Sequence, residues 1–145
     1  MSLAGAVTYL TVTKVWPEAF ASSHGLGSSV GQIPLSDLPA LVLEFDPAGG
    51  EGFAVTNADV SEGAAVLYMR HSIVVQAVAL GATGAAQDSI PALVDAYLAS
   101  ILDDVTLDDN LSVPLRIFGI DVRVDDTYGM VLRIEFRHRW ELTIT

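Results

Sequence analysis

Cysteine is absent, lysine occurs once (Lys14), and no apolar stretch reaches about eighteen residues; each shortage removes a class of explanation. Without cysteine there are no disulfides and no thiolate metal sites. Without a long apolar run, no helix spans a membrane. The opening Met1-Ser2-Leu3-Ala4-Gly5 has no positive charge before a long apolar core, so export through a leader is not expected. Basic residues are scarce altogether: seven Lys+Arg stand against 18 Asp+Glu, for a formal net charge of −11. So acidic a surface repels phosphate backbones, which excludes a general grip on DNA or RNA. The same counterion argument read in reverse suits a surface that DNA slides past. Apart from Lys14 the basic residues are all arginine, whose planar fork favours ion pairs and interfaces over mere solubilisation.

What is present is apolar. Hydrophobic residues make up 51% of 145, enough for one domain around one core and too many for a disordered chain. Ser2 as N-cap with Leu3, Val7 and Leu10 predicts a helix within residues 3–15, against the strand preference of Thr8, Thr11, Val12, Thr13 and Val15; Pro17 ends the element. Residues 21–39, punctuated by serine, glycine, Pro34 and Pro39, predict a long flexible loop of the kind a partner orders. Leu41–Phe45 is a short apolar strand that turns at Asp46-Pro47-Ala48-Gly49-Gly50, and an edge strand is expected around Phe53–Thr56. Residues 65–80 predict a long strand, with Leu67, Met69, His71, Ile73 and Val75 on its more apolar face and Gly81-Ala82-Thr83-Gly84 closing it. Leu93, Val94, Tyr97, Leu98, Ile101 and Leu102 then recur at helical spacing, with Asp88 or Ser89 as cap and Pro91 in the first turn.

The clearest pattern closes the chain. From Met130 to Thr145 apolar and polar residues alternate: Leu132, Ile134, Phe136, His138, Trp140, Leu142 and Ile144 against Arg133, Glu135, Arg137, Arg139, Glu141 and Thr143. A period of two is a strand with one buried face, here on the order of 45 Å long. Before it, Phe118, Ile120, Val122 and Val124 alternate with Gly119, Asp121 and Arg123, and Asp125–Gly129 turns the chain. Pairing Val124 with Met130 sets Val122 opposite Leu132, Ile120 opposite Ile134 and Phe118 opposite Phe136, apolar on apolar, and Asp121 opposite Arg133 on the other face. The expected fold is α+β: a mainly antiparallel sheet, an amphipathic helix packed on one face, and a long C-terminal β-hairpin. Leu98, Ile101, Ile120, Ile134 and Phe136 are the expected core.

No motif names a reaction. Gly27-Ser28-Ser29-Val30-Gly31 matches G-x-S-x-G but lacks the strand before and helix after that the elbow needs. His24, His71 and His138 show no i, i+4 pairing, and the last two fall on apolar strand faces, where core histidines sit. Asp103, Asp104, Asp108 and Asp109 lack the glycine and glutamate of a calcium loop. No catalytic residue, cofactor or metal ligand is expected. The remaining signal is Arg133, Arg137 and Arg139, either a solvated edge strand or an interface with a subunit or partner. In the interface reading Asp125, Asp126 and Tyr128 of the hairpin turn join them. The acidic turns at Asp103, Asp104, Asp108 and Asp109 then face partner arginines, solvent or a DNA channel.

The stretch Leu38-Pro39-Ala40-Leu41-Val42-Leu43, the central strand, one amphipathic helix, the acidic turn, the hairpin and the closing Arg137-His138-Arg139-Trp140 together resemble the tail terminator and head–tail joining (tail completion) proteins of long-tailed bacteriophages. The resemblance covers roughly residues 38–145; the family opens with a cleaner helix than residues 3–15 provide. It implies a single tail-terminator-like domain and a virion protein of the neck or tail, assembled in the host cytoplasm. Such a protein forms a homo-oligomeric ring, commonly a hexamer, that ends the tail tube. Its implied partners are itself, the tail tube protein and the head connector or adaptor, with DNA passing through an acidic lumen without sequence-specific binding. A related secretion or contractile apparatus shares that ancestry. The alternative is a small ligand-binding or enzymatic α+β domain with a pocket between sheet and helix around His71, Tyr97 and His138.

Overall fold

Alternating side chains need a sheet with one face covered, and the chain builds it from six strands. A computed structural model describes residues 2–27, 33–46, 55–59, 64–76, 79–125 and 131–143. The strands are β1 (Ser22–His24), β2 (Ala40–Phe45), β3 (Val55–Asp59), β4 (Ala64–Gln76), β5 (Arg116–Asp125) and β6 (Val131–Thr143). Their order is β1-β2-β4-β6-β5, with β3 also on β4; β1 and β2 run parallel and the other pairs antiparallel. The fold is therefore α+β, and its spine is the β4–β6 ladder, paired from Ala64↔Thr143 to Gln76↔Val131.

The ambiguous N-terminal segment is helical. Helix α1 (Leu3–Thr8) starts where the Ser2 hydroxyl accepts from Gly5 N–H at 2.8 Å. Tyr9–Thr13 then widen into a π-turn, closed by Lys14 N–H on the Tyr9 carbonyl at 2.7 Å, while Thr11 Oγ1 bonds back to the Val7 carbonyl at 2.7 Å. The expected loop over 21–39 contains two ordered pieces, β1 and a 3₁₀ turn at Leu35–Asp37, joined where Ser22 Oγ donates to the Asp37 carbonyl at 2.7 Å. Residues 28–32, with the G-x-S-x-G serine, lie outside the described residues.

Helix α2 (Ala79–Leu102) differs from expectation at its start. It takes in Gly81–Gly84, which do not close the preceding strand, and runs through Pro91, which does not begin it. Glycine and proline cost a helix interior roughly 1 and 3 kcal/mol. Tertiary packing of Leu93, Tyr97 and Ile101, all at most 6% exposed, outweighs that local preference.

One sheet face carries the core. Leu41, Leu43, Met69, His71, Ile73, Ile134, Phe136 and Trp140 are fully buried there beneath α2, α1 and the 103–111 turn. Two expectations need correction. Asp121 opposes Glu135 rather than Arg133, because the hairpin is shifted by two residues: Val124↔Leu132, Val122↔Ile134, Ile120↔Phe136 and Arg123↔Arg133. A two-residue shift keeps every side chain on its own face, so alternation cannot detect it. A bulge between Ile117 and Gly119 absorbs one residue. Second, Ile101, Ile134 and Phe136 are buried, but Leu98 is half-buried and Ile120 is 45% exposed. The buried Tyr97 ring of α2 stands over His71 of β4 and Phe136 of β6, leaving β5 at the rim.

Candidate functional site

The polar side chains of β6 emerge on the sheet face away from α2, and the strand registers decide what they meet. Arg70 on β4 lies opposite Glu44 on β2 and Arg137 on β6. It holds Glu44 at 2.9 Å and Glu135 at 3.0 Å. Arg133 also pairs with Glu44, and Arg123 with Glu135. A row of alternating charge, Glu44–Arg70–Glu135–Arg123, thus crosses β2, β4, β6 and β5. Arg137 Nε reaches Asp46 Oδ2 at 2.8 Å and its guanidinium covers the Phe118 ring at 4.8 Å; Arg139 pairs with Glu141.

Arg133, Arg137 and Arg139 therefore meet Glu44, Asp46 and Glu141 of their own chain. The Arg133 side chain is only 6% exposed, too deep for a partner; those of Arg137 and Arg139, at 25% and 33%, keep some access. Glu44 and Asp46 lie 89 and 91 residues from their arginines, so spacing gave no sign of them. Glu135 and Glu141 were visible as the acidic members of the β6 alternation.

The acidic turns are partly structural. Leu107, Asp108 and Asp109 have φ of 52°, 59° and 59°, a left-handed run that aspartate tolerates better than most residues. Asp104 steadies it by accepting from Asp108 N–H at 2.8 Å. Tyr9 lies near Asp104, and its hydroxyl is pushed up to about 12 by burial first and by this carboxylate second. Asp103, Asp108 and Asp109 are exposed. Asp125 ends β5, while Asp126 and Tyr128 lie outside the described residues.

His71 and His138, placed by the alternation on apolar faces, come together with Tyr97 under the helix. Tyr97 Oη lies 2.8 Å from His71 Nδ1 and 2.9 Å from His138 Nε2, and Trp140 Nε1 lies 3.3 Å from His138 Nδ1. Indole N–H only donates, which fixes the direction of the chain. Trp140 donates to His138, whose Nε2–H donates to Tyr97, whose hydroxyl donates to His71. All four residues are fully buried, and desolvation holds both histidines neutral: His138 is lowered to about 3 and His71 well below its ordinary value. The place where a ligand would enter is filled by rings, Tyr97 stacking on Phe136 at 4.0 Å and on Trp16 at 5.6 Å. A neighbouring surface cleft of about 460 Å³ has Ser100 and Asp103 as its polar side chains among apolar ones such as Trp16 and Ala96.

The remaining feature is the sheet edge. Among the described residues no strand lies beyond β5, and its Phe118, Ile120, Val122 and Val124 are 41%, 45%, 49% and 44% exposed. Ile120, Val122 and Val124 share the helix-side face with Phe136, Ile134 and Leu132, their partners in β6. Natural edges are blunted by charge, proline or a bulge; β5 has charges at Arg116, Asp121, Arg123 and Asp125 and a bulge between Ile117 and Gly119, but no proline, and its apolar row stays half-exposed. No protein-family model matches the chain, and no curated protein matches it either.

Proposed function

We propose that the protein is a structural subunit that assembles with copies of itself into a ring at the neck or tail of a long-tailed phage, ending the tail tube and meeting the head connector. One observation carries the reading: a ten-residue edge strand presents a half-exposed apolar row and an open backbone edge. Left in water, that edge invites pairing with another chain, and a subunit built to assemble is the case in which it is kept. The charge supports the same reading, since −11 per subunit gives a ring a lumen that lets DNA pass without sticking. The arginines serve a different part of it than expected. Their intrachain pairs tie neighbouring strands together on the sheet's polar face, and Arg137 and Arg139 are the ones accessible enough to add a contact to a neighbour.

Native mass spectrometry and negative-stain imaging test the proposal. The purified protein should give closed oligomers that cap the ends of tail tubes. Ile120→Lys with Val124→Lys should leave the monomer's melting temperature nearly unchanged and abolish the oligomers. A wild-type protein that stays monomeric across a concentration series, or that leaves tube ends uncapped, removes the reading.

A further inference from the structure

Among the described residues, two apolar surfaces lie open on opposite flanks of α2. One is the helix-side row of β5, Ile120, Val122 and Val124. The other is the segment after α1, where Val12 is 78% and Val15 90% exposed, with the cleft that Val15 forms against Ala96, Ala99 and Asp103. Ser23 of β1 donates to the Leu10 carbonyl at 3.3 Å, so this segment sits by the β1 edge of the sheet, opposite the β5 edge.

We propose that the β5 row of one subunit docks on the Val15 cleft of the next copy, head to tail around the ring. The inference rests on the self-assembly reading above and names the two surfaces that meet. A head-to-tail ring needs two different, complementary patches on each subunit, and this chain carries them at opposite edges of one sheet. The contact gives β5 the cover that its own α2 does not reach, and it takes the exposed valines out of water in the same step. Arg123, on the polar face of β5, keeps its pair with Glu135.

Charge selects the orientation. Asp103 in the cleft and Glu18 just beyond Pro17 are exposed, so two clefts repel each other. Strand β5 opens with Arg116, exposed and directly opposite Arg139 in the ladder. Like charges across a ladder are unfavourable, and among the described residues Arg116 holds no carboxylate. Asp103 of the partner subunit supplies one.

The heights agree as well. Leu115 N–H bonds the Val105 carbonyl at 2.8 Å, which puts the start of β5 and the C-terminal end of α2 at one end of the sheet. Ile90 of α2 packs at Leu132, the partner of Val124, at the other end. Rotation about a ring axis parallel to the strands moves no residue along that axis, so Arg116 meets the partner subunit's Asp103 at equal height. Ile120 lies about 13 Å further along its strand, and Ala96 about 10 Å back along its helix. The apolar row therefore begins where the apolar wall of the cleft stands.

The chain has no cysteine, so introduced thiols report this contact alone. Val15→Cys and Ile120→Cys, each treated with a short bis-maleimide, should remain single chains, while their mixture should give covalent dimers. The double variant should give a ladder that stops at the ring number, because every subunit then carries both ends. Arg116→Asp should weaken the oligomer at least about tenfold, and adding Asp103→Arg should restore it, with the monomer's melt unchanged. This charge swap decides the contact if the thiol variants fold poorly. Native rings without the ladder, or self-cross-linking of either single variant, overturn this contact and leave the ring reading in place. A ladder with no last rung upholds the contact and overturns the ring. A wild-type monomer that cross-links in no combination overturns both.

Discussion

Acid should weaken this fold through its buried histidines. His71 and His138 are fully buried, and burial depresses both: His138 to about 3, and His71 well below the ordinary value, with the neighbouring His138 as the second cause. Once unfolded, each titrates near about 6.5. The unfolded chain therefore takes up protons first, so stability is complete above that pH and is lost as pH falls toward the folded value. Between about pH 7 and pH 5 the loss from His138 is about 2 kcal/mol, and His71 acts in the same direction. That is a large share of the roughly 5–15 kcal/mol typical of a domain. Urea denaturation followed by Trp16 and Trp140 fluorescence at each pH reads it directly. Protonation of carboxylates and relief of the net negative charge act on the same curve, so the decisive comparison is with His138→Gln. Glutamine keeps an acceptor for Trp140 and a donor for Tyr97 but does not titrate, so the loss from pH 7 to pH 5 should shrink by about 2 kcal/mol. Parallel curves for wild type and His138→Gln would refute the buried neutral network.

Two further outcomes follow from packing. Phe136→Ala, at 0% exposure and stacked on Tyr97, should cost about 3–5 kcal/mol, whereas Ile120→Ala on the open edge should cost below about 1 kcal/mol in the dilute monomer; chemical denaturation of both separates core from rim. Gly5→Ala should destabilise by about 1–2 kcal/mol despite alanine's better helix propensity, because the new Cβ would lie 2.7 Å from Ser2 Oγ and 2.9 Å from Asn110 Cγ; a higher melting temperature would show that Asn110 yields freely.

Sequence by itself determined which way side chains face. The period of two along β4 and β6 placed Ile73, Ile134, Phe136 and both histidines inside and Arg133, Glu135 and Arg137 on the polar face, because strand periodicity is a local property of the backbone. Helical spacing picked out six residues of α2, of which Leu93, Tyr97 and Ile101 are buried, Val94 and Leu98 half-buried and Leu102 exposed, and it picked out Ser2 as a cap. Tertiary structure decided the rest. The hairpin's two-residue step is invisible to alternation, since both registers bury the same face; a bulge and the five-residue connection from Asp125 to Val131 set it. The start of α2 lay upstream of Pro91, against the local preference of glycine and proline. The arginines' partners depended on β2 lying beside β4 in a particular register, and the exposure of Ile120, Val122 and Val124 on the position of α2 over β4 and β6. Those facts follow from non-local pairings between segments up to 91 residues apart, and no window along the chain contains them.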